Sequence, residues 1–290
     1  MRRKGLLLAG GQGTRLSPLT RSVSKQLLPI YNKPAIYYPL SSLLFAGCKE
    51  IAIISDYRTL SIYQDILGDG MNLGISLEYI VQPKPDGIAQ AYILAEHFLD
   101  GDPSILILGD NLFYGDNWGA ILGNEAIDGN NSVFTYKVSN PSLYGVPEIK
   151  NGKILNIEEK PENPMSDLVI PGIYFLDEDA PMLSKSLQKS SRGEYEIADL
   201  LNIYASQKTL NTTQLGRGIA WFDIGNVDSL LEASLFVKTL ETRQGLFIGS
   251  IEEIVYNLGY VQKEELLASI AHEKSDYFSK LRNLISIDAY

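Results

Sequence analysis

Gly5-Leu6-Leu7-Leu8-Ala9 runs straight into Gly10-Gly11-Gln12-Gly13-Thr14-Arg15-Leu16 near the start of the chain. A short unbroken apolar run is the pattern of a strand buried on both faces. Consecutive glycines let the following backbone approach a ligand and turn its N–H groups inward as an anion nest. Arg15 adds a permanent fork of donors beside that nest, and Lys25 a second cation. Such a set suits a triphosphate. Two other readings compete. A dinucleotide loop shares Gly11-x-Gly13, but Leu16 stands where its later glycine belongs and the acid expected after the second strand is not clearly placed. A glycine-rich turn with no ligand is the other.

Further along, the pattern repeats. Residues 51–54, 75–81 and 105–108 read as strands, and 37–46, 60–67 and 88–99 as helices, the first ended by Gly47 and the second by Gly68-Asp69-Gly70. Apolar strands alternating with helices predict an α/β fold with a doubly wound, mostly parallel sheet. Ligands of such folds bind at the carboxyl ends of the strands, which points to residues 10–15 and to Asp110.

The middle changes character. Asn151-Gly152 marks a hairpin between strands at 146–149 and 153–158, with further strands at 170–176 and 210–215. This predicts a β-rich insertion laid as a second wall over the first half. The end is helical: 227–242 carries Leu230, Leu231, Ser234, Leu235 and Lys238 at helical spacing, and 251–258, 264–271 and 277–285 are shorter amphipathic segments. With no linker or repeat, residues 1–290 read as one unit: a nucleotide-binding half (1–110), a second half (111–225) and a helical tail (226–290).

Composition narrows the chemistry. Of 290 residues, 45% are hydrophobic and 21% charged, as in a globular protein with a large core. A net charge of −10 argues against binding nucleic acid, though not against small phosphorylated substrates. One cysteine, Cys48, excludes an internal disulfide and fits a reducing, cytoplasmic compartment. Two histidines, His97 and His272, leave little room for a zinc site or for Ser-His or Cys-His catalysis. Chemistry must then rest on carboxylates, lysine, arginine and backbone groups. The basic start Met1-Arg2-Arg3-Lys4 precedes too short an apolar run for a leader, and nothing is long enough to span a membrane.

The glycine segment extends into a longer pattern, Gly11-x-Gly13-Thr14-Arg15-x-x-Pro18 followed by Lys25-x-x-x-Pro29, which resembles the signature of the sugar-phosphate nucleotidyltransferases. Residues 23–34, Val-Ser-Lys-Gln-Leu-Leu-Pro-Ile-Tyr-Asn-Lys-Pro, are similar to the thymidylyltransferase branch in particular. So are Val81-Gln82-Pro83, Asp86-Gly87-Ile88-Ala89-Gln90-Ala91, Leu108-Gly109-Asp110-Asn111, Glu159-Lys160-Pro161, Arg192-Gly193-Glu194 and Gly218-x-Ala220-Trp221-x-Asp223-x-Gly225. The matches lie in order from residue 5 to about 245, and Arg243-Gln244-Gly245 with Glu252-Glu253-Ile254 extend the likeness into the tail.

The resemblance implies a reaction: dTTP and glucose 1-phosphate give dTDP-glucose and pyrophosphate, by in-line attack of the sugar's phosphate on the α-phosphorus. It implies roles too. Gly10, Gly11, Gly13 and Thr14 cradle the nucleotide phosphates, with Leu8 beside them. Arg15, Lys25, Asp110 and Lys160 are catalytic. Gln26, Gln82 and the backbone at Gly87 read the thymine edge, as an amide can donate and accept at once. Asp110 and Asp223 bind Mg²⁺, whose hard charge prefers carboxylate oxygens. Asn111, Tyr144, Gly145, Glu159, Lys160, Ile170, Tyr174 and Arg192 face the sugar phosphate. The resembling enzymes are homo-oligomers, which implies a tetramer here.

Three positions depart from the pattern near the expected sugar pocket: Ile170-Pro171-Gly172 where the branch has Val-Thr-Gly, Leu168 where it often has Trp, and Pro147 within a strand. The alternatives are a sister enzyme using UTP or another sugar, a silent regulatory subunit, which would usually have lost a charge of the phosphate site, and a nicotinamide oxidoreductase.

Overall fold

The computed structural model describes residues 3–11 and 13–286; Met1 and Arg2 of the basic start and Gln12 of the glycine loop lie outside it. The first half runs β1 (Lys4–Leu8), the short β2 (Pro29–Ile30) and β3 (Lys33–Pro34), α1 (Tyr37–Phe45), β4 (Glu50–Ser55), α2 (Tyr57–Leu67), β5 (Ser76–Val81), α3 (Gln90–Leu94), α4 (Glu96–Leu99) and β6 (Ser104–Leu108). The expected helix over 88–99 is thus two helices, broken at Ala95. The middle adds β7 (Asn111–Gly115), α5 (Trp118–Ile127), β8 (Asn131–Lys137), β9 (Gly145–Lys150), β10 (Lys153–Glu159), β11 (Leu168–Val169), β12 (Ile173–Leu176), α6 (Ala180–Ser186), α7 (Ile197–Ser206), β13 (Leu210–Gln214) and β14 (Ile219–Asp223). The tail is α8 (Val227–Gln244), α9 (Ile251–Asn257), α10 (Lys263–Ser269) and α11 (Asp276–Ser286).

One eight-stranded sheet organises the fold, in the order β5, β4, β1, β6, β12 with β11, β8, β13. All run parallel except β11 and β12, which oppose their neighbours. Most of the middle strands therefore extend the first sheet; the β9–β10 hairpin, packed on α7, and the antiparallel pair β7–β14 stand apart from it. Alternate residues of the central strands feed two cores. Leu7, Ile53 and Ile107 face α1 and the tail, while Leu6, Leu8, Ala52, Ile54 and Leu106 face α3 and α7.

The expected strand over 170–176 is broken. β11 and β12 both pair with β8, but the chain leaves the ladder at Ile170-Pro171 between them and rejoins it at Gly172, whose O accepts from the Leu108 N–H of β6. Pro171 has no N–H to offer a ladder. Ile170 instead donates its N–H to Gly145 O and brings β9 to the sheet's edge.

The tail joins the core. Ile251, Ile254, Val255, Leu266, Ile270, Leu281 and Ile285 are buried in the same cluster as Leu40 and Leu43 of α1. On α8 the buried face is Ala233, Val237 and Glu241; of the expected stripe Leu230 packs against the core, but Leu231 and Leu235, like Val227 before them, are more than half exposed. Glu241 wins an inward place because Lys33 waits there. Among the described residues no helix is long and apolar enough to cross a membrane.

Candidate active site

β1 and β6 are parallel neighbours with Leu8 opposite Leu108, so the glycine loop and Asp110 emerge side by side at the sheet's carboxyl edge. β14 pairs antiparallel with β7, setting Asp223 opposite Asn111, and the Ile224 N–H bonds to Asp110 O. Two aspartates from opposite ends of the middle segment thus meet beside the first loop.

They stand in a cleft of two joined cavities. One, of about 280 Å³, is walled by the predicted nucleotide residues Leu8, Gly10, Gly11, Lys25, Gln26, Gln82 and Gly87. The other, of about 160 Å³, is walled by Asn111, Tyr144, Gly145, Ile170, Tyr174 and Asp223. Asp110, Glu159 and Lys160 line both and form the waist between them. Lys160 sits just past β10 with φ at 49°, a left-handed conformation rare outside glycine, held by its N–H bond to Tyr144 O.

Two glycines are set by close approach. A Cβ on Gly10 would collide with Gln82 Oε1, and one on Gly87, with φ at 107°, would collide with the Tyr195 backbone.

The charges are strongly coupled. Lys25 is ion-paired with Asp110. Burial, then the charge of Asp110, pushes the Asp223 carboxyl up to about 6, against the pull of Lys25, Arg15 and Lys160. Burial also raises Glu159, opposed by Lys160 and Arg192. Two crowded hard carboxylates at one edge are a donor set that a divalent cation fits, since it relieves their repulsion.

Some predicted residues sit elsewhere than expected. Arg15 lines the second cavity, near Asp223, and not the nucleotide side. Gly13 and Thr14 line neither cavity; Gly13 packs on Thr20 and the Lys25 stem. Gln26 is buried, donating Nε2 to Gly10 O and accepting from Ser24 Oγ, so its amide braces the loop. Arg192 lines the first cavity and makes a two-pronged bond to Glu196, with Nε–Oε1 at 3.0 Å and Nη2–Oε2 at 2.6 Å.

The sequence reading also missed Ile88, Leu108, Glu194 and Glu196 as lining residues. It missed Trp221 as well, whose indole N–H donates to Asn111 Oδ1 at 2.6 Å while its ring packs 5.1 Å from that of Tyr144. Trp221 lies two residues before Asp223 on β14, hence on the same face, a signal present in the motif.

Comparison with known proteins agrees with this geometry. The nucleotidyl transferase family matches residues 4–239. The chain is similar to the glucose-1-phosphate thymidylyltransferase of Mycobacterium tuberculosis strain H37Rv, at 43% identity over 97% of this chain and 99% of that one. It is similar also to the enzyme of that name from Neisseria gonorrhoeae, at 46% over the same shares. A Bacillus anthracis protein described as a glucose-1-phosphate thymidylyltransferase and solved with sucrose superposes with a TM-score of 0.74 at 36% identity, over 81% of this chain and 94% of the other. This chain belongs to the nucleotidyl transferase family, within its glucose-1-phosphate thymidylyltransferase branch.

Proposed function

We propose that the chain catalyses dTTP plus glucose 1-phosphate to dTDP-glucose plus pyrophosphate. The observation that carries this reading is the two-part cleft with Asp110, Glu159 and Lys160 at its waist. A nucleotide in the larger part and a sugar phosphate in the smaller would meet at that waist, already oriented. An oxygen of the sugar's phosphate forms a bond to the α-phosphorus, and the bond from that phosphorus to the bridging oxygen of the β-phosphate breaks, its electron pair leaving on pyrophosphate. The attacking oxygen is already ionised at neutral pH, so no base is needed.

The residues supply charge and position. Lys25 holds the phosphates from the loop side and Lys160 receives the sugar's phosphate at the waist. Arg15 offsets charge near Asp223, and Arg192, steadied by Glu196, closes the cleft's rim. Glu159 accepts from sugar hydroxyls, with Tyr144 and Tyr174 against the ring. Asp110 and Asp223 would hold Mg²⁺, which would neutralise phosphate oxygens and polarise the α-phosphoryl group.

The relatives' names favour dTTP, and the N3–H that an amide can read is common to thymine and uracil. The chain is read as one unit with halves 1–110 and 111–225 and tail 226–290, and as a homo-oligomer, a tetramer, with the exposed Val227, Leu231 and Leu235 supporting a second copy. Pyrophosphate release with Mg²⁺ and glucose 1-phosphate tests the reading: dTTP should exceed UTP in kcat/KM, and no release with either nucleotide would remove it.

A further inference from the structure

Gln90, the first residue of α3, takes no part in the reading above. Its Oε1 accepts two hydrogen bonds: from the backbone N–H of Asp86 at 3.2 Å, a donor it shares with Lys84 O at 2.9 Å, and from Nε2 of Gln82 at 2.8 Å. The first bond settles the second. A backbone N–H can only donate, so the Gln90 atom facing it must be the carbonyl oxygen. That oxygen also faces Gln82, which must therefore turn its NH₂ toward Gln90. The Gln82 carbonyl oxygen then points the other way, over Gly10, in the wall of the nucleotide cavity.

The starting donor is itself pinned. Asp86 O accepts from the Tyr195 N–H, Tyr195 O accepts from the Ala89 N–H, and the Asp86 carboxylate is paired with Lys189. The relay therefore runs from a fixed backbone amide through two buried or half-buried side chains to one oxygen on the cavity wall.

We propose that Gln90 is a positioning residue that locks the Gln82 amide with its acceptor toward the base, selecting pyrimidines with an N3–H over those with a lone pair there. Thymine and uracil present that donor; cytosine presents a bare nitrogen, and two opposed acceptors leave both unpaired. The inference rests on the reading of Gln82 as the residue that faces the base.

Gln90→Met keeps length and helix preference but removes the acceptor. Gln82 is then free to turn over, which dilutes the competent orientation for dTTP and creates one that accepts dCTP. KM for dTTP should rise roughly threefold with kcat within about twofold, and the preference in kcat/KM for dTTP over dCTP should fall by about tenfold or more. Gln90→Glu still accepts from both donors and should retain the parent's preference. An unchanged preference in Gln90→Met, or an equal loss in both variants, overturns the proposal. A second measurement needs neither variant nor nucleotide. In the parent, the side-chain amide protons of Gln82 should exchange and rotate far more slowly than those of the exposed Gln207, and equal rates also overturn it. A parent protein with slow Gln82 protons but no dTTP turnover would sink the proposed function and leave the amide lock standing.

Discussion

The ammonium of Lys25 is ion-paired with the carboxylate of Asp110, joining the turn after the glycine loop to the carboxyl end of β6. Both side chains are about 15% exposed, 16% for the lysine and 14% for the aspartate. At such burial an ion pair is stronger than at the surface, and each partner depends on the other for neutralisation. On the proposed reading, a metal–triphosphate bound here would exchange this one pair for two, Lys25 with phosphate and Asp110 with the cation. Lys25→Met should therefore lower kcat by ~10²–10³, yet weaken Mg²⁺ binding little, since Asp110 loses its competitor. Steady-state pyrophosphate release and a metal titration followed by thermal shift would check both halves; a kcat within twofold of the parent would refute the first.

Asp110→Asn should abolish turnover for a different reason. The amide is a poor ligand for a hard cation, and Lys25 is left without its partner. The expected result is a loss of at least ~10³ in kcat, together with loss of the Mg²⁺-dependent rise in melting temperature that a ligand bound only to the folded state produces. Chelator should reproduce the kinetic loss in the parent and be reversed by added Mg²⁺. Activity undiminished by chelator would remove the metal from the scheme.

Much of this was legible beforehand, and the failures share a cause. The central strands were readable because strands buried on both faces are unbroken apolar runs, as at Ile51-Ala52-Ile53-Ile54. β7 and β14 escaped notice since Asn-Leu-Phe-Tyr-Gly and Ile-Ala-Trp-Phe-Asp take their regularity from pairing with each other, across more than a hundred residues. The break at Pro171 was flagged as a departure, but that Ile170 would reach Gly145 depends on a hairpin brought from elsewhere. The inward face of α8 was misread for the same reason: Glu241 is buried because Lys33 lies opposite, and no local pattern encodes that. Within the site, the motifs named most of the lining residues. The sides they occupy, such as Arg15 beside Asp223, and the partners that orient them, such as Glu196 and Gln90, come only from tertiary contact.

The Lys33–Glu241 pair should prove essential to the tail's attachment. Their charged atoms are 2.9 Å apart, with side chains 2% and 6% exposed, and Glu241 also accepts from Asn32 and from the Ile248 N–H. Removing one partner strands the other charge in the interior, which typically costs about 3–5 kcal/mol. Lys33→Met should lose about that much in urea denaturation. The double variant Lys33→Met with Glu241→Leu should recover part of it. A single variant as stable as the parent would show that the pair contributes nothing.

The same cluster sets a pH dependence. Burial, with Glu241 and Glu252 close by, pushes the Glu253 carboxyl up to about 7, while Lys33 opposes. A carboxyl raised in the folded state binds its proton more tightly there than in the unfolded chain. Its contribution is therefore favourable at low pH and declines as pH rises from the ordinary value of 4.5 toward 7, about 1.4 kcal/mol per unit within that window. Glu253→Gln, neutral at every pH, should flatten this part of the stability profile and be the more stable protein at pH 8. Parent and variant profiles that run parallel between pH 5 and 7 would show that Glu253 is not the group responsible.

Trp221 offers a way to separate sugar binding from nucleotide binding. Its indole N–H and the Gly172 N–H both donate to Asn111 Oδ1, which turns the Asn111 amide so that its Nδ2 donates to Asp110 Oδ1 at 2.9 Å. Trp221→Phe retains a ring against Tyr144 but removes the donor. Asn111 keeps one of the two bonds that fix its orientation, and the wall of the smaller cavity loosens while the larger is untouched. The loss of one neutral hydrogen bond corresponds to about 1 kcal/mol, or roughly fivefold. It should appear as a higher KM for glucose 1-phosphate with the KM for dTTP unchanged. If both constants rose together, Trp221 would be acting on the whole cleft through Asp110, and the division of the cleft at its waist would have to be redrawn.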